Sequence, residues 1–118
     1  MKNLILDLIN NSNTLLAVRE KLIFNCGFQT YHDVDTDATG FWVKKEVLPA
    51  DICYIGLHVN PGQGVYLKID PRIDYKRSAD IMARSIKYKT FEGTPSFEDI
   101  MGQIDQFMKE IYCEGWDK

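Results

Sequence analysis

The sequence predicts an α+β domain: an antiparallel sheet of four to five strands with helices packed on one face. Three observations carry the prediction. Helical periodicity is confined to the ends of the chain, at Leu4, Ile5, Leu8, Ile9, Leu15, Val18, Leu22 and Ile23, and again at Phe97, Ile100, Met101, Ile104, Phe107, Met108 and Ile111. Between these ends the apolar residues alternate with a period of two. Strong turn chemistry at Asn60, Pro61, Gly62, Gln63 and Gly64 joins two such alternating runs. At 118 residues the chain is read as one domain, 1–118.

The first 27 residues are predicted as a helical pair, or as one helix with a break, because Asn10, Asn11, Ser12 and Asn13 offer the backbone local side-chain partners. Gly27 suits the left-handed position that ends a helix. Phe28, Thr30, His32 and Val34 then alternate, residues 35–40 read as a turn, and Phe41, Val43, Lys45 and Val47 mark a second strand with Trp42 on its other face. The next strand, 52–59, places Cys53, Ile55, Leu57 and Val59 on a core face and Ile52, Tyr54, Gly56 and His58 on the opposite one. Val65, Leu67 and Ile69 return from the turn, and Pro71 is expected to end that strand. Residues 72–84 are ambiguous, with Ser78 a candidate cap for a short helix, and residues 86–91 read as a further strand. Thr94, Pro95 and Ser96 open a long C-terminal amphipathic helix that ends near Gly115.

Fourteen Lys and Arg against seventeen Asp and Glu give a net charge of −3, which weakly repels nucleic acid and anionic lipid. The basic residues are nevertheless gathered in one strip, 68–89, where Lys68, Arg72, Lys76, Arg77, Arg84, Lys87 and Lys89 outnumber Asp70, Asp74 and Asp80. Cys26, Cys53 and Cys113 are too few and too widely spaced for a disulfide framework. The N-terminal apolar run is interrupted at Asp7, unlike a signal peptide, and a cytoplasmic location is expected.

Each candidate chemistry breaks its own pattern. Asp33, Asp35, Asp37 and Thr39 open like a calcium loop, but the sixth position is Ala38 where a sharp turn needs Gly, and the twelfth is Lys44 where a bidentate Glu belongs. His32, His58 and the cysteines are zinc-ligand types, yet Cys53 and His58 lie an odd number of residues apart on one strand and point to opposite faces. That parity also opposes a Cys-His nucleophile pair. Gly62 and Gly64 lie between strands and lack the Gly-Lys-Ser or Gly-Lys-Thr that opens a phosphate-binding helix. No catalytic set, metal or cofactor is implied.

Tyr66, Lys68, Arg72, Tyr75, Lys76 and Arg77 form a basic, aromatic-bearing strip, and Tyr and Arg recur at binding hot spots because they combine contact area with directed hydrogen bonds. Trp116, beyond the last helix, is a second partner-contact candidate that can equally fold back over the helix end. The order of elements is similar to that of bacterial secretion chaperones and small phage-encoded inhibitors. The expected function is therefore a small non-enzymatic protein-binding module, an inhibitor, adaptor or chaperone-like protein, acting as a monomer or a homodimer. The alternative is a small-ligand binder or small enzyme with a pocket between sheet and helices, using His32 or His58 for proton transfer. A further alternative is binding of a nucleic-acid backbone by the basic strip.

Overall fold

The computed structural model describes residues 4–31, 39–60, 64–73 and 86–118. The elements run α1 (Leu4–Asn25), β1 (Gln29–Thr30), β2 (Gly40–Leu48), β3 (Asp51–Asn60), β4 (Gly64–Ile73), β5 (Lys87–Phe91) and α2 (Phe97–Ile111). The five strands are hydrogen-bonded in chain order, each antiparallel to the next, so the sheet is a simple meander. This is the α+β arrangement expected from the sequence.

Alternation decides which side the helices cover. Phe41 and Val43 of β2, Cys53, Ile55, Leu57 and Val59 of β3, and Val65, Leu67 and Ile69 of β4 are buried on one face. Leu15, Val18 and Leu22 of α1 and Ile100, Ile104 and Met108 of α2 join them in a single core cluster. Each large side chain so removed from water contributes about 1.5 to 3 kcal/mol, which makes this two-helix layer the main source of stability. α2 starts with a capping box, in which Ser96 Oγ accepts from the Asp99 amide at 3.0 Å and the Asp99 carboxylate accepts from the Ser96 amide. Glu98 and Asp99 in its first turn and Lys109 in its last complement the helix dipole.

Two expectations need correction. The N-terminal helical pair is one helix: α1 runs unbroken through residues 10–13. Asn11 is buried with its amide directed at the Gly93 carbonyl, 3.5 Å away, and Ser12 Oγ donates to the Ile9 carbonyl at 3.3 Å, so these side chains find partners without unwinding the helix. β4 continues through Pro71, which pairs with Cys53. Among the described residues β5 pairs with β4 as far as Ile69, and Pro71 has no described strand neighbour on that side, a setting in which a missing N–H is tolerated. Among the described residues the first strand pairs with β2 at Gln29 and Thr30; the expected positions His32 and Val34 and residues 74–84 lie outside the described residues.

Lys45 stands on the inner side of β2, where alternation would place an apolar residue. Its ammonium donates to the carbonyls of Cys26 and Trp116, both at 2.6 Å, and of Lys118 at 3.3 Å. It also sits 5.7 Å from the Phe28 ring centroid. One side chain thereby ties the end of α1 and the segment after α2 to the sheet. Replacing Lys45 with Met keeps the apolar stem but leaves short acceptors unmatched, and the expected loss is about 2 to 3 kcal/mol, read as a lower urea midpoint at unchanged slope. An unchanged midpoint would show that the three carbonyls do not depend on this ammonium.

Candidate binding face

The sheet face opposite both helices is built by the other half of the alternation. The register aligns Trp42, Gly56, Lys68 and Tyr88 in one row across four strands. Lys44, Tyr54 and Asp70 form a second row, and His58, Tyr66 and Thr90 a third. Tyr31, whose amide donates to the Trp42 carbonyl, joins at the β1 edge. Aromatic and basic side chains thus converge from five strand segments onto one surface.

The rings and cations brace one another. Tyr31 and Tyr54 meet edge to face with centroids 4.9 Å apart, and Trp42 and His58 lie 5.6 Å apart. Lys44 Nζ is 5.3 Å from the Tyr31 centroid, Arg72 Cζ is 5.3 Å from that of Tyr54, and Lys68 Nζ is 5.9 Å from that of Tyr88. Arg72 donates from Nε and Nη2 to one oxygen of Asp70, at 3.2 and 3.1 Å. Tyr66 and Tyr88 stack obliquely at 6.0 Å, and partial burial followed by the neighbouring Tyr88 raises the Tyr66 phenol pKa, so it stays a neutral donor. A shallow depression of about 130 Å³ opens among Tyr31, Trp42, Tyr54, Lys68, Asp70 and Arg72.

Gly56 is the floor of this face. A Cβ there would come within 2.8 Å of three Trp42 ring atoms, so the indole lies over the β3 backbone only because position 56 has no side chain. The sequence-predicted residues Tyr66, Lys68 and Arg72 lie together here. Tyr75, Lys76 and Arg77 lie outside the described residues. Lys87 and Lys89 do not belong to the face: they pair with the inward Ile69 and Leu67, and Lys87 reaches Glu110 of α2 at 3.3 Å.

Trp116 is not a surface contact. It is 4% exposed, packs edge-on against Phe28 on the helix-covered side, and donates from Nε1 to Asp105 at 2.9 Å. The hydrogen bond from Lys109, followed by that from Trp116, holds the Asp105 carboxyl below the usual aspartate range. Sequence reasoning placed Tyr54 on the outer side of β3 but not among the binding candidates, and missed Tyr31, Lys44 and Tyr88 altogether, because their convergence depends on the order and register of all the strands.

Cys53 and His58 lie on opposite faces, as their spacing requires. Burial pushes the Cys53 thiol up to about 12, and its sulfur rests 3.7 Å from that of Met108, so it remains a protonated core group. Burial also raises the Cys26 thiol, with Asp117 adding to the effect. Among the described residues no group of three His, Cys, Asp or Glu converges to hold a metal ion. Gly64, left-handed at φ 83°, begins a strand where a phosphate loop would open a helix. Most of the calcium-like run at 33–39 lies outside the described residues. No described helix is long and apolar enough to cross a membrane. No protein-family model, curated protein or solved structure matches the chain.

Gly56→Ala should lift Trp42 from the sheet at a cost of about 1 to 3 kcal/mol, read as a shifted indole NMR resonance and a lower melting temperature. An unmoved resonance would show that the ring does not rest on the backbone. A water-soluble maleimide at neutral pH should label the exposed Cys113 quickly, and Cys26 and Cys53 only on unfolding. Rapid labelling of all the thiols in the folded protein would contradict the burial of that core.

Proposed function

We propose that this chain is a non-enzymatic protein-binding module that docks a partner protein on the outer face of its sheet. The observation that supports this reading is the cross-strand register, which sets Trp42, Tyr54, Tyr66 and Tyr88 among Lys44, Lys68 and Arg72 on the side away from both helices. Large rings with polar tips supply contact area at low entropy cost, and Arg and Trp are enriched where interfaces concentrate their energy. Because the side chains are braced by one another and rooted in strands, little ordering remains to be done on binding. Arg72 is already paired with Asp70, whereas Lys44 and Lys68 have no ion pair among the described residues. A partner surface bearing carboxylates complements this arrangement.

A second reading rests on the same rows. Rings interleaved with cations are also a platform for stacked bases of a single nucleic-acid strand. The net charge of −3 opposes that reading by disfavouring the phosphate backbone at long range.

The test is affinity capture from the protein's natural setting with and without nuclease, followed by titration of the recovered partner with the purified chain. Lys68→Glu combined with Arg72→Glu, or Tyr88→Ala alone, should weaken partner binding about thirtyfold or more. Glu98→Gln on α2 should leave it unchanged. A partner that binds the face variants as tightly as the unaltered chain would overturn the proposal, and recovery lost on nuclease treatment would replace it with the nucleic-acid reading.

A further inference from the structure

A cleft of about 540 Å³ opens on the other side of the molecule, between α1 and the start of β2, and it is independent of the outer face apart from sharing Trp42. Its walls are mostly apolar, with Leu8, Leu15 and Leu16 from the helix and Phe41 and Val59 from the sheet. That volume lies within the range of small-molecule pockets, which combine apolar walls with a few placed polar groups.

Among the described residues, Arg19 is the one charged side chain lining the cleft. It is half-buried, and its Nη2 donates to Thr30 Oγ1 at 3.1 Å, which fixes the guanidinium at the β1 side of the opening. Among the described residues no carboxylate lies within ion-pair distance of it. A guanidinium presents more donors than the one Thr30 uses, in a fork that matches a carboxylate. Ser12, Thr30 and Thr39 place further polar atoms in the lining.

We propose that this cleft binds a small apolar monocarboxylate, its chain lying against Leu8, Leu15, Leu16 and Phe41 and its carboxylate paired with Arg19. The charge decides the class. A neutral apolar ligand would leave the oriented guanidinium unmatched in a partly dry site, whereas a dianion would bring more charge than one cation offsets. A monoanion with an apolar body satisfies both parts of the lining.

The experiment is an NMR titration of the methyl-labelled full-length chain with octanoate, and in parallel with octanol as the uncharged probe. Saturable shifts are expected at Leu8, Leu15, Leu16 and Val59, with octanoate binding about 10- to 100-fold more tightly than octanol. Arg19→Gln should remove that preference while leaving octanol binding in place. Leu16→Trp, at a position 51% exposed and so free of the core, should fill the cleft and abolish binding of both probes. The proposal is overturned if octanoate shows no saturable shifts at these methyls, if the two probes bind equally to the unaltered chain, or if Leu16→Trp binds octanoate undiminished. The probe comparison uses the unaltered protein, so it decides the matter even if Arg19→Gln fails to fold.

Discussion

Along β3 and β4 successive side chains must point to opposite faces, and Cys53, Ile55, Leu57 and Val59 therefore face the same way as Val65, Leu67 and Ile69. Both helices settle on that apolar side because it is where their own stripes leave water. Everything the strands carry at the alternate positions is then displayed on the other side. The outer face is a consequence of the core: once the inner residues are fixed, the register admits no other place for Tyr54, Tyr66, Lys68 and Arg72. A slip of one residue would bury the cations and expose the core, which is why this pairing is strongly specified.

The two ends of the chain are joined to this sheet by a polar device. Lys45 occupies an inward position, and its charge is matched by carbonyl oxygens from the end of α1 and from the residues after α2. The arrangement is directional where apolar packing is not. Trp116 adds to it by closing over Phe28 while its indole nitrogen reaches back to Asp105. A second polar tie, from Tyr112 to the buried Asp51 at 3.1 Å, connects the end of α2 to the start of β3. These bonds set where the helical layer sits, while the apolar contacts supply most of its stability.

Periodicity made much of this legible. The inner and outer faces of β3, the strand at 87–91 and the C-terminal helix follow from apolar spacing, and Ser96 announces itself as a cap. The continuity of α1 does not, because Asn10, Asn11, Ser12 and Asn13 read as a break, and only the folded chain supplies the Gly93 carbonyl that takes the Asn11 amide while Ser12 bonds back to Ile9 within the helix. Pro71 misleads in the opposite direction, since a proline reads locally as a strand end although here it keeps its place opposite Cys53. The outer face was half legible. Tyr66, Lys68 and Arg72 share a face by simple parity, but bringing Trp42 over Gly56, and setting Tyr88 beside Lys68, requires a strand order that no local pattern contains. Lys87 and Lys89 look like members of the strip by proximity in sequence, but their register with Ile69 and Leu67 sets them on the helix side of the sheet.

The aromatic and cationic side of the sheet faces solvent, while both helices cover the opposite side. Solvent paramagnetic relaxation measured on an aromatic- and methyl-labelled sample separates the two sides, because a soluble gadolinium chelate relaxes only protons it can approach. Strong relaxation of the Trp42, Tyr54, Tyr66 and Tyr88 rings is expected, with the Ile55, Leu57, Leu67 and Ile104 methyls protected. Outer rings as protected as those core methyls would mean that the face is covered, and the assignment of this surface to partner binding would be wrong.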